Sequence, residues 1–318
     1  MPEKTQPTQP PYPLHPSILS RLAPDYATFY NTHLLNAQQS HLQPISISRA
    51  SRPPYPGSGP LQPVASTTDL TIPRSDPPIP IPIRVFTPLG SPPPAGWPVC
   101  IYIHGGGWVL GDIHAENVLA SHLCARGGAV VISVDYRLAP EAPFPAAVED
   151  CWGVVLWVRD KGKEVLGVDA ERMAVAGCSA GANLAAVMCQ RALQLLVVPV
   201  VDNTAGEGDE KYASWRENAL MPGLTPEKMR WYRGLYLPRR EDWEHPEASP
   251  VLALVVLGGA DILRGEGEAF GRRLGEAGVR VEVRVVEGQP HPFVGLDGVL
   301  EGAREVIGRL CEVLKGVM

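Results

Sequence analysis

The sequence lacks long runs of any one kind. No extended Lys/Arg stretch occurs, and 34 acids against 28 bases leave a net charge of −6. That balance argues against a nucleic-acid partner or a membrane surface. The longest uninterrupted apolar or glycine run, Val251–Ala260, is ten residues, about half of what a membrane span needs. The opening MPEKTQPTQPPYPLHP has no basic segment leading into an apolar core, so no secretory leader is expected. Cysteine is sparse, six in 318 residues and no CxxC pair. Five of the six lie in apolar segments, which predicts reduced, buried thiols and a cytoplasmic protein rather than a disulfide framework or a zinc site. G-x-G-x-x-G and GK[ST] are also missing, which removes the common phosphate-cradling loops.

What is present is ample apolar material, 45% of the chain, which excludes wholesale disorder. Proline is unevenly spread: 23 of 34 precede position 99. The first dozen residues read as a disordered arm. Ser17–Leu35 carries Ile18, Leu19, Leu22, Tyr26, Phe29, Tyr30 and Leu34 at helical spacing. A Pro/Gly/Ser linker follows at Arg52–Pro63, then edge-strand candidates at Val64–Ile72 and Ile83–Phe86.

From Trp97 onward, short Val- and Ile-rich runs alternate with helical stretches. The strands are expected at Val99–Ile103, Ala129–Val134, Met173–Gly177, Leu195–Val201, Ala253–Leu257 and Val281–Val286. Helices are expected at Ala146–Lys161, Ala180–Leu193, Gly267–Ala277 and Val299–Val317. This rhythm predicts a doubly wound, mostly parallel α/β sheet. It lapses between Thr204 and Glu247, a polar stretch rich in Tyr and Trp. That stretch reads as an insertion covering one end of the sheet, a small helical cap shared with Ser17–Leu35.

Gly177-Cys178-Ser179-Ala180-Gly181 fits G-x-S-x-G between an apolar strand and a helical run. A strand that enters a helix so tightly needs glycine on both sides and lifts the serine above the sheet. His104-Gly105-Gly106-Gly107-Trp108 follows another strand and bares its amides, the loop that binds an oxyanion in lipases and esterases. The amides of Gly105, Gly106 and Ala180 are the expected donors. A serine nucleophile needs a base and an orienting acid, which follow in the order Ser, acid, His. Asp261 and His291 lie in loops at carboxyl ends of strands and complete a candidate triad with Ser179.

With these residues in place, the chain resembles the hormone-sensitive-lipase-like family of α/β-hydrolases. Asp135-Tyr136-Arg137-Leu138-Ala139-Pro140-Glu141 and Pro143-Phe144-Pro145-Ala146-Ala147 strengthen the likeness, which covers Trp97 to the C-terminus. The resemblance implies hydrolysis of carboxylic esters with short or medium acyl groups, no cofactor and no metal. It departs from the family at the elbow, which usually reads G-D-S-A-G-G: here Cys178 replaces the acid and Ala182 the last glycine. Relatives also carry longer connections near Gln194 and after Pro250.

The expected organisation is an arm and cap helix in 1–50, a hydrolase core in 51–204 and 246–318, and a cap insertion in 205–245. Trp108, Trp215, Met221, Trp231 and Tyr232 are candidates for walling a substrate pocket, against the plainer reading that they pack a core. Glu141 reads as an ion-pair partner and Asp297 as a solvated turn residue. The partner is a small ester, met by a monomer or homodimer. The alternatives are an amide, lactone or thioester hydrolase with the same triad, or a non-catalytic ligand receptor. The gibberellin receptors resemble the family but lack its histidine, whereas His291 is present here.

Overall fold

The computed structural model describes residues 12–50, 56–74, 78–188, 193–205, 212–239, 252–277 and 280–317. Short helices α1 (Pro24–Phe29) and α2 (Ile45–Ala50) precede the sheet. An antiparallel pair, β1 (Ser66–Ile72) and β2 (Ile81–Thr87), begins it. The chain then runs β3 (Trp97–Ile103), α3 (Asn117–Gly127), β4 (Val130–Val134), α4 (Ala146–Leu166), β5 (Val168–Cys178), α5 (Ala180–Met188) and β6 (Leu193–Val197). Helices α6 (Ala213–Glu217) and α7 (Pro226–Tyr236) interrupt the alternation before β7 (Leu252–Gly258), α8 (Arg264–Glu276), β8 (Arg280–Val286) and α9 (Glu301–Val317). The strand order is β1-β2-β4-β3-β5-β6-β7-β8, antiparallel around β2 and parallel from β4 to β8.

Alternate residues of the buried strands feed opposite faces, as the period of two requires. Val99, Ile101, Ile103, Ile132, Val175 and Val255 pack toward α4, α5 and α8. Cys100, Tyr102, Val131, Ala176, Leu195 and Val256 pack toward α3 and α9. The five described cysteines are buried in these layers; Cys189 lies outside the described residues. No described helix is long and apolar enough to cross a membrane.

Ser17–Leu35 is not one helix. A 3₁₀ turn at Pro16–Arg21 stops, α1 starts afresh with Pro24 at its first position, and a π-type turn follows at Tyr30–Leu34. Proline has no N–H to give and its ring would strike the carbonyl four residues back, so Pro24 can begin a helix but not continue one. Helix α5 is described as far as Met188, and Leu193, expected at its end, belongs to β6. The connections near 194 and after 250 fall largely outside the described residues, as do the arm 1–11 and Trp243.

The N-terminal segment and the α6–α7 region pack on each other. The Arg21 guanidinium donates to the Glu217 carbonyl at 2.6 Å and to the Asn218 side chain. The α7 terminus is capped by Thr225, whose Oγ1 accepts from the Lys228 N–H at 3.2 Å.

Candidate active site

Ser179 sits between β5 and α5 with φ at 54°, a left-handed conformation that costs a non-glycine residue energy. The turn is held by the Ser179 N–H donating to the Val197 carbonyl at 2.8 Å. A Cβ at Gly177 would collide with the Gly181 carbonyl, and one at Gly181 with the carbonyls of Ile103 and His104. The two glycines of the motif are therefore required by close backbone approach.

His291 Nε2 lies 2.8 Å from Ser179 Oγ, and His291 Nδ1 lies 2.8 Å from Asp261 Oδ2. Residues 179, 261 and 291, far apart in sequence, thus form one continuous hydrogen-bonded line, all nearly buried. Asp261 Oδ1 accepts from the Leu263 N–H at 3.0 Å. The α6 region buttresses both partner loops. Asn218 Nδ2 donates to the Asp261 carbonyl at 2.7 Å, and Ser214 Oγ to the Ile262 carbonyl at 2.6 Å. Gly223 lies directly on the His291 carbonyl, leaving no space for a Cβ.

The glycine loop corrects one sequence expectation. The Gly105 N–H donates to the Glu116 carboxylate at 3.3 Å, so this donor is already engaged. Gly106 and Gly107 follow with positive φ, and among the described residues their amides meet no acceptor. The amide of Ala180, in the open first turn of α5, likewise meets no acceptor among the described residues. Gly107 is a residue that sequence reasoning missed, and so is Glu116.

The Glu116 carboxylate also accepts from Tyr102 Oη at 2.6 Å and from the Cys178 thiol. Loss of water pushes this carboxyl up, and its three donors and the nearby His291 pull it back. Burial, followed by the Glu116 charge, pushes the Cys178 thiol well up, so it remains protonated. The carboxylate beside the elbow comes from the residue that precedes α3. His104 stacks on Tyr136 with ring centroids 4.4 Å apart, and burial lowers it to about 4. It is neutral at pH 7.

Glu141 does pair with an arginine, both its oxygens 2.9 Å from Arg49. Asp297, expected in solvent, is only 7% exposed. Its carboxylate accepts from the Gly59 N–H at 3.0 Å and lies 3.6 Å from His122 Nε2, because residues 56–59 fold over it.

Two cavities flank the glycine loop. One, of about 460 Å³, lies under the cap and is lined by Tyr30, Leu34, Gly223 and Lys228 among others. The other, of about 700 Å³, reaches Gly105, Gly106, Glu116, Cys178 and Pro292. Leu110 and Gly111 line both. Trp108, Trp215, Met221, Trp231 and Tyr232 line neither. Trp108 is fully buried and stacked on Tyr236 at 4.4 Å. Trp215 donates its indole N–H to Glu266 at 3.3 Å beneath the Arg233 guanidinium, and Met221 is buried in the core. Trp231 leans on Tyr232, whose ring covers Gly107 from behind.

Comparison with known proteins decides the family. Residues 100–295 match the family described as the α/β-hydrolase fold. The chain belongs to the hormone-sensitive-lipase-like α/β-hydrolases. It is 41% identical to an AB hydrolase superfamily protein of Schizosaccharomyces pombe, covering 92% of this chain and 93% of that one. To the Esterase LipI of Mycobacterium tuberculosis it is 36% identical, over 81% of this chain and 84% of its relative. A solved hyperthermophilic esterase from Pyrobaculum calidifontis superposes with a TM-score of 0.74 at 35% identity, covering 80% and 87% of the two chains. Members of this hydrolase family cleave carboxylic esters, and this chain is a carboxylic ester hydrolase.

Proposed function

We propose that the protein hydrolyses esters of short to medium acyl chains through Ser179, His291 and Asp261 and a covalent acyl-enzyme. The observation that carries this reading is the unbroken line of two 2.8 Å contacts from Ser179 through His291 to Asp261. Ser179 Oγ attacks the ester carbonyl carbon while His291 Nε2 takes its proton. Asp261 holds Nδ1 protonated and stabilises the resulting cation. The carbonyl oxygen, now negative, is met by the amides of Gly106, Gly107 and Ala180. Collapse expels the alkoxide, which takes the proton back from His291 and leaves as the alcohol. Water then repeats the attack on the acyl-serine, His291 again relaying the proton, and the acid is released.

The test is Ser179→Ala beside wild type on nitrophenyl esters of graded acyl length, with one aryl amide and one lactone in the panel. The variant should stay folded and lose about 10⁴-fold or more in kcat. Retention of more than a few per cent of wild-type turnover by purified variant would remove Ser179 from the mechanism. Faster cleavage of the amide or lactone than of any ester would reassign the substrate.

A further inference from the structure

Lys228, in the first turn of α7, lines the 460 Å³ cavity under the cap. Its Nζ donates to the Gly223 carbonyl at 2.9 Å, and among the described residues it forms no ion pair. Burial lowers the ammonium to about 8, so it is still charged at neutral pH. Arg49, which also lines this cavity, is already committed. It holds both oxygens of Glu141 and the carbonyls of Val109 and Ala139. Asp112 is engaged by the His114 N–H at 2.8 Å. A half-buried ammonium that forms no ion pair among the described residues is a favourable place for an anion, which recovers part of the cost of its burial.

The place matters as much as the charge. Lys228 is bonded to Gly223, the residue that rests on the His291 carbonyl. The opposite wall is Leu110 and Gly111, which continue the glycine loop. The cavity wall is therefore continuous with both the His291 loop, through Gly223, and the glycine loop, through Leu110 and Gly111.

We propose that the preferred substrates carry a free carboxylate a few carbons from the scissile ester, bound in the cap cavity by Lys228. This rests on the ester-hydrolase reading above. The carboxylate can belong to either half of the ester, and the two arms of the test separate these. In one arm, nitrophenyl hydrogen glutarate is compared with nitrophenyl pentanoate. In the other, the butyrate ester of 4-hydroxybutanoate is compared with pentyl butyrate in a pH-stat. The charged ester should win by about tenfold or more in kcat/KM in at least one arm, the range of a charge-assisted hydrogen bond. Lys228→Met should bring that ratio toward one, and Lys228→Arg should keep most of it. The ratio is internal to each variant, so a general loss of activity does not imitate the effect.

A ratio near one in both arms for wild type, with the neutral esters turned over, overturns this proposal alone. So does an unchanged ratio in Lys228→Met. No turnover of any ester overturns the esterase reading and this one with it. Should Lys228→Met not fold, competitive inhibition of wild type decides. Glutarate should bind about tenfold tighter than butyrate, and equal inhibition overturns the proposal.

Discussion

The strand-end loops that carry Ser179, Asp261 and His291 are fixed mainly by backbone, whereas the cap is fixed mainly by side chains. In the loops, Ser179 N–H reaches Val197, Ala260 N–H reaches Gln289 at 3.1 Å, and glycines press on carbonyls at 181 and 223. In the cap, Trp108 stacks on Tyr236, Arg233 covers Trp215 and Arg21 reaches Glu217. Backbone contacts have no rotamers with which to adjust, while side-chain contacts do. The difference teaches that the Ser179–His291–Asp261 line is the rigidly held part of this molecule and the shape of its cavities the adjustable part.

The harshest way to break the comparison is Gly181→Ala. The new methyl would meet the Ile103 and His104 carbonyls, and neither backbone can retreat without disturbing the sheet. Activity should fall about 10³-fold or more, with destabilisation of about 3 kcal/mol, the upper range for overpacking. Thermal melting and single-substrate kinetics check it. Near-normal turnover would mean that the elbow is softer than a backbone-fixed loop should be.

Next comes the meeting of Glu116 with the elbow. Cys178→Asp would place a second carboxylate against Glu116 in a site poor in water, so kcat should drop about tenfold or more. Adding Glu116→Gln should recover part of the loss, a non-additivity expected only of residues in contact. Cys178→Ser should keep much of the activity, because a hydroxyl can also donate to Glu116. If the double variant were as poor as the sum of the singles, the two side chains would not be coupled.

The mildest effect belongs to Glu266, buried behind the cap. Its carboxylate accepts from Val201 N–H at 2.9 Å and from Trp215, and burial raises it to about 8 from an ordinary 4.5. Between those values the unfolded chain has released the proton and the folded chain has not. Stability must therefore fall as pH rises through that window, by at most about 1.4 kcal/mol per unit. Glu266→Gln should flatten the slope, so its melting temperature gains on wild type from pH 5.5 to 8. Parallel curves would show that Glu266 ionises in the folded protein much as it does in the open chain.

The same contrast explains what could be read from the sequence. Gly177, Gly181, the glycine loop, Asp261 and His291 were legible because backbone demands select few residue types at fixed offsets from strands. The sheet followed from its Val- and Ile-rich runs. Gly105 was misjudged because the direction of an amide is set by its partner, and Glu116 comes from a segment with no motif of its own. Asp297 was misjudged for a like reason: the chain that covers it lies more than two hundred residues away. Trp108, Trp215 and Met221 show that an aromatic or thioether side chain at helical spacing is buried somewhere, without saying against what.

Leu110 and Gly111 stand as a partition between chambers of about 460 and 700 Å³. The smaller ends at a lysine and the larger at a glutamate. For an ester that occupies both chambers, a stereocentre beside the carbonyl must send one substituent each way. Mirror-image substrates would then exchange a large group for a small one across that partition, and an acidic group for a basic one. Leu110, the larger of the two residues in that partition, makes no contact in the Ser179–His291–Asp261 line and can be exchanged without touching it.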